Sequence, residues 1–157
     1  MAPHDGVTVR KNRLGQIIRE LGARPRHIAV GVIGPKGQVE HNGTKVATVA
    51  DVASWNYFGT STIPARPFRT IAFAKHGDRL RAVQARIIKG VIEGKLDLDK
   101  GLDLLGLEAA ALVKQTIIEH VPPPNAQSTI ERKGSSTPLV DKGQLLGAIQ
   151  HEVRDGR

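Results

Sequence analysis

The chain has 157 residues and no cysteine, with 23 Lys and Arg against 15 Asp and Glu for a formal net charge of +8. This length fits one domain whose core needs no disulfide, and the missing cysteines exclude thiol chemistry and cysteine-based zinc sites. The first eleven residues hold no apolar signal core and no apolar run approaches the ~20 residues of a membrane span, which predicts a soluble protein made in the cytoplasm.

Leu14, Ile17, Ile18 and Leu21 follow the i, i+3, i+4, i+7 spacing of an amphipathic helix, and Gly22 is expected to stop it in a left-handed conformation. The β-branched run His27 to Ile33 predicts a strand. Gly34-Pro35-Lys36-Gly37 predicts a turn. Gln38 to His41 and Thr44 to Thr48 flank Asn42-Gly43, a strong hairpin signal. Three short antiparallel strands are therefore expected between His27 and Thr48.

Ala50 to Phe58 predicts a short helix with Val52, Trp55 and Phe58 on one face and Gly59 at its end. Pro64 and Pro67 each fix φ and bias Ile63 and Arg66 toward extended conformations. Ile63 to Phe68 thus reads as a stiff extended arm. Arg69 to Glu93 predicts a long helix with a break near Gly77-Asp78, its apolar side formed by Leu80, Val83, Ile87 and Val91. Gly94 ends it. Asp97 or Asp99 is expected to cap the next helix, which carries Leu102, Leu105, Ala109, Leu112, Val113 and Ile117 and stops at Val121-Pro122-Pro123-Pro124. The polar stretch 125–138 reads as a long loop of the functional or disordered kind. Leu139 to Leu146 predicts one helical turn capped by Asp141, and Ala148 to Val153 a last strand. This order predicts one α+β domain over 1–157: a small antiparallel sheet of three N-terminal strands plus a C-terminal strand, packed against three to four helices.

Catalytic arrangements are scarce. Gly34-Pro35-Lys36-Gly37 lacks the spacing of a phosphate-binding loop, and Pro35 removes an N–H that such a loop would use. The histidines at 4, 27, 41, 76, 120 and 151 form no metal-ligand spacing. His120 reads as a helix-end charge favoured by the dipole. Asp97 and Asp99 read as caps rather than paired catalytic carboxylates. These residues predict no catalytic group, no metal and no cofactor: not an enzyme. The positive charge suggests an acidic partner or nucleic acid, yet no run reaches the five or six like charges of a nucleic-acid-binding tail. A solvated basic surface and a basic DNA-binding module both remain open.

The distribution of aromatics is more informative. The chain has five, and Trp55, Tyr57, Phe58 and Phe68 lie within one fourteen-residue stretch, with Phe73 just beyond. Large aromatics dominate core and interface energetics. The segment therefore forms this chain's core, a subunit interface or both, and Arg66 either meets a carboxylate of another subunit or lays its stem on Phe68.

WNYFGTSTIPARPF (55–68) and STPLVDKGQLLGAI (136–149) together resemble the small head–tail joining proteins of tailed bacteriophages. These are the neck, or tail-completion, proteins of lambda-like and Mu-like phages, including the Mu-like virion morphogenesis proteins. In those families a helix ends in an N-E-F-G-T-like turn that runs into I-P-A-R-P-F. A P-L-V-D-T-G-Q-L turn leads into a final strand. The chain departs from that pattern at Tyr57, where an acidic residue is common, at Lys142, where Thr is common, and at Ala148, where Ser is common.

The resemblance implies a non-enzymatic virion protein at the head–tail junction, synthesised in the host cytoplasm. It would form a ring of six or twelve copies between portal or connector proteins and the tail tube or its terminator. The charge excess of +8 would in addition let the ring lumen tolerate DNA passing through it without sequence-specific binding. The implied contact residues are Phe58, Gly59, Thr60, Ile63, Pro64, Ala65, Arg66, Pro67 and Phe68, with Leu139, Val140, Asp141, Gly143, Gln144 and Leu145. Within the first segment, Trp55 and Phe58 are expected to anchor the short helix to its own core, and Ile63 to Phe68 to reach another chain.

Overall fold

The structure is a computed structural model that describes residues 5–34, 38–41, 44–134, 139 and 143–156, with side chains from 13–34, 47–131, 134, 139 and 143–156. Ten elements follow in chain order: α1 (Asp5–Ala23), β1 (Arg26–Val32), β2 (Gln38–His41), β3 (Thr44–Thr48), α2 (Val49–Phe58), α3 (Phe68–Ile92), α4 (Leu98–Ile118), α5 (Gln127–Lys133), α6 (Gln144–Ala148) and β4 (Ile149–Asp155). The fold is α+β, as the order of periodicities predicts.

The strands divide differently from the expected single sheet. Among the described residues β1 pairs only with β4, antiparallel, from Arg26 opposite Asp155 to Val32 opposite Ile149. The hairpin β2–β3 forms a separate two-stranded ladder with an irregularity between Val39 and Glu40. The prolyl turn 35–37 and the Asn42-Gly43 tip lie outside the described residues. The last strand, β4, thus takes the place beside β1 that the neighbouring hairpin was expected to fill.

Helix α4 is the centre of the molecule. Gly101, Gly106, Ala109, Ala110, Leu112, Val113, Thr116 and Ile117 are buried along it. It packs on α3 on one side and on the β1–β4 ladder on the other. Gly106 makes the second contact possible, because a Cβ there would run into the His151 ring and lie 3.0 Å from Ile28. Asp97 caps α4 by accepting from the N–H groups of Asp99 and Lys100, satisfying two of the orphan donors of a first turn. Asp99 is instead the ion-pair partner of Arg26.

Three local expectations are corrected. Helix α1 runs through Gly22, which is not in a left-handed conformation, and Leu14, Ile18 and Leu21 are exposed while Ile17 is half-buried. Helix α3 is continuous across Gly77-Asp78; a lone glycine weakens a helix by only about 1 kcal/mol, and packing on α4 outweighs that. Within the predicted loop 125–138, Gln127–Lys133 forms helix α5, ended by Gly134 at φ +67; residues 135–138 lie outside the described residues.

Candidate functional site

Helix α2 begins with a capping box. Thr48 Oγ accepts from Asp51 N at 3.1 Å, while the Asp51 carboxylate accepts from the Thr48 hydroxyl and backbone N–H at 2.7 and 2.9 Å. These two donors, the hydroxyl first, hold the Asp51 carboxyl below its ordinary range. Val49 and Ala53 face the core. Trp55 is 43 % exposed and Phe58 73 % exposed. Trp55 and Phe58 therefore point away from the core while Val52 is half-buried, and the expectation that Trp55 and Phe58 anchor the helix inward is wrong. A ten-residue helix at the surface buries one stripe, and here Val49 and Ala53 form it.

Gly59 ends α2 at φ +80 and ψ 169, its N–H donating to Trp55 O at 2.8 Å. A Cβ at Gly59 would sit 2.9 Å from Ala65 N and 3.1 Å from Ile63 O. The chain turns back at once. Thr60 N donates to Ile63 O at 2.8 Å, and Thr60 Oγ accepts from Ile63 N at 3.0 Å. The next residues lie along α2 rather than projecting from it, with Arg66 N donating to Asn56 O at 2.6 Å. Pro67, at φ −75 and ψ 63, forms an inverse γ-turn closed by Phe68 N to Arg66 O at 2.7 Å. The expected free arm is thus a tethered hairpin-like return.

Its two most notable side chains are internal. Phe68 is 2 % exposed and belongs to one buried cluster with Val49, Ala53, Ala72, Val113 and Ile117. Arg66 is 5 % exposed. Its Nε donates to Pro123 O at 2.8 Å, and its Nη2 to Pro124 O and Asn125 Oδ1, both at 3.3 Å. Burial lowers the pKa of this guanidinium. Neither sequence reading of Arg66, a carboxylate across a subunit boundary or an exposed stem on Phe68, describes these bonds. Three successive prolines supply carbonyl acceptors and no N–H, so their acceptors need donors from elsewhere in the chain. That signal was present in Pro122-Pro123-Pro124, as was Asn125, and sequence reasoning missed both. It missed Asn56 as well, which accepts from Arg66 N and donates through Nδ2 to Val52 O at 2.8 Å.

Tyr57, at the position where the resemblance expects an acidic residue, packs edge-on to Phe58 at 4.9 Å and to Phe68 at 5.6 Å. The Arg69 guanidinium carbon lies 4.5 Å from the centre of its ring, a cation–π geometry. Its hydroxyl is 2.6 Å from Thr70 Oγ1.

Of the remaining site residues, Thr60, Pro64, Ala65 and Gln144 are exposed, and Gly59, Ile63, Pro67 and Gly143 are half-buried. Leu139 and Leu145 are 9 % and 5 % exposed and join the cluster that holds Phe68. Leu139 has a positive φ of 66°. Helix α6 starts after Gly143, at φ +71. Val140, Asp141 and the Asp141 cap lie outside the described residues.

Between α2, the 60–67 return and the 122–126 segment lies a groove of about 920 Å³ walled by Trp55, Ile63, Pro64, Pro124 and Leu139, with Arg66 at its floor. Compared with known proteins, the chain matches no family model, no curated protein and no solved structure.

Proposed function

We propose that this chain is a structural head–tail joining protein of a tailed bacteriophage. In this reading it forms a ring that docks portal or connector proteins on one side and the tail tube or its terminator on the other. The observation that carries the reading is the meeting of the two resembling segments. Although far apart in sequence, the described residues of the two segments pack together: Phe68, Leu139, Leu145 and Ala148 share a buried cluster, and α2 contacts α6. Two motifs that resemble one family in order and spacing, and whose described residues share a buried cluster, support a shared structural role.

The function is binding energy repeated by symmetry. A head-to-tail interface closes into a ring only when the rotation per subunit fits. Exposed Trp55 and Phe58, on a helix fixed at both ends by Asp51 and Gly59, are the anchors this surface offers. Because Arg66 and Phe68 are already held within their own chain, the proposed contact face shifts from the arm to the outer face of α2, with Thr60, Pro64 and Ala65 at its edge. The rival reading, a basic DNA-binding module, has weaker support. On α3, Arg79, Arg81 and Lys89 are engaged by Glu108, Asp78 and Glu93, which reduces the free charge available to phosphates.

Native mass spectrometry and negative-stain imaging of the purified chain test the proposal. Closed assemblies of six or twelve copies are expected, alone or on addition of phage tails. A chain that stays monomeric under both conditions overturns it, and steeply salt-dependent DNA binding by that monomer would favour the rival.

A further inference from the structure

Arg66 poses a problem of charge. It is 5 % exposed, and among the described residues it forms no ion pair. Buried charges are ordinarily paired. Its Nε and Nη2 donors are used by Pro123, Pro124 and Asn125, whereas Nη1 has no acceptor among the described residues. The sealed side-chain polar atoms without partners there are His76 Nε2 and Asn125 Nδ2. Nη1 is not one of them, so it is the part of the guanidinium that opens on the groove. A cationic donor thus faces the groove without an acceptor among the described residues, and among those residues Arg66 is the only charged one lining it.

We propose that this groove binds an extended segment of another protein that carries a carboxylate beside an apolar residue. Arg66 Nη1 holds the carboxylate, and Trp55, Ile63 and Pro64 hold the apolar neighbour. The planar fork of Arg suits a carboxylate. The volume lies at the upper end for small-ligand sites and accommodates a few residues. A phosphate backbone is a poorer match, because nucleic-acid tracks use many cations and, among the described residues, this groove has one, with apolar walls. The net charge of +8 complements an acidic partner. The inference goes beyond the ring reading, with which it shares Trp55 and Pro64, and the two fail separately. Peptide binding by a monomer would keep the groove and sink the ring, and a ring indifferent to peptide would do the reverse.

Trp55 is the chain's single tryptophan and lines the groove, so its emission reports occupancy. The probes are Ac-Ile-Glu-Pro-Val-NH2 and its glutamine counterpart, titrated into the full-length chain. Saturable quenching or a spectral shift is expected with the glutamate peptide at about tenfold lower concentration, or less, than with the glutamine peptide. Asn125→Asp keeps the Oδ acceptor for Arg66 and adds a carboxylate, and it is expected to abolish that preference while leaving the melting temperature near the parent's. Ile63→Ser, at a half-buried wall, is expected to weaken both peptides alike. Equal response to the two peptides, or none to either, overturns the proposal. So does inorganic phosphate acting at lower concentration than the glutamate peptide, which would assign a phosphate site. A glutamate preference that appears only in Asp141→Asn would also overturn it, because the acceptor would then be the chain's own carboxylate.

Discussion

The outer face of α2 and the Ile63–Phe68 return sit side by side and have opposite fates. The return, stiffened by two prolines, invites the reading of an arm for another subunit, yet it is tied down at Arg66 N, Arg66 Nε and Phe68. The helix, with its tryptophan and phenylalanine, invites the reading of a core element, yet those two rings are its exposed ones. Rigidity and aromaticity do not by themselves tell where a segment faces. What decides is which stripe of a short helix the rest of the chain covers, and what satisfies the polar groups of the segment that follows.

The contrast can be broken at several points. The largest expected effect is at Phe68. Phe68→Ala should cost about 3–5 kcal/mol of unfolding free energy, read by urea denaturation. A loss under about 1 kcal/mol would mean that the ring is not in the core. Gly59 joins the two regions. Gly59→Ala forces a Cβ toward Ala65 N in a positive-φ conformation and should cost about 1–3 kcal/mol. It should also loosen the return, visible as faster proteolysis near Thr60.

Thr48 holds the start of α2. Thr48→Ala removes the capping box and should cost about 1 kcal/mol. The same box carries a pH dependence. The hydroxyl and N–H of Thr48 hold the folded-state pKa of Asp51 below its unfolded value. The associated stability is therefore complete above the ordinary carboxylate range and lost as pH falls through the folded value. Melting temperatures measured from neutral to acidic pH should fall less steeply below that range in Asp51→Asn than in the parent. An unchanged acid slope would detach the carboxylate from α2. The smallest stability effect belongs to the exposed rings: Trp55→Ala and Phe58→Ser should each stay within about 0.5 kcal/mol of the parent.

Much of the fold was legible in the sequence because periodicity and caps are local. The spacing of Leu80, Val83, Ile87 and Val91 marked α3, Asp97 marked the start of α4, and Gly59 marked the end of α2. Strand pairing was not legible. Local turn signals favoured β1 beside β2, while the register that forms joins β1 to a strand over a hundred residues away. Gly106 allows α4 to lie against that ladder, and no local pattern announces such an approach. At the site, Gly59 and Thr60 were recognisable as turn residues. The partners of Arg66 were not, because they are backbone carbonyls of Pro123 and Pro124, whose positions depend on how α4 ends.

In the proposed ring, the outer face of α2, not the tethered return, makes the contact with a neighbouring copy. Native mass spectrometry of the parent and of a Trp55→Ala, Phe58→Ser double variant tests this most directly, with melting temperature as the control for folding. The predicted result is a closed assembly of six or twelve copies for the parent and a folded monomer for the variant. An assembly that survives the double substitution, or a parent that is monomeric alone and with tails, would contradict it.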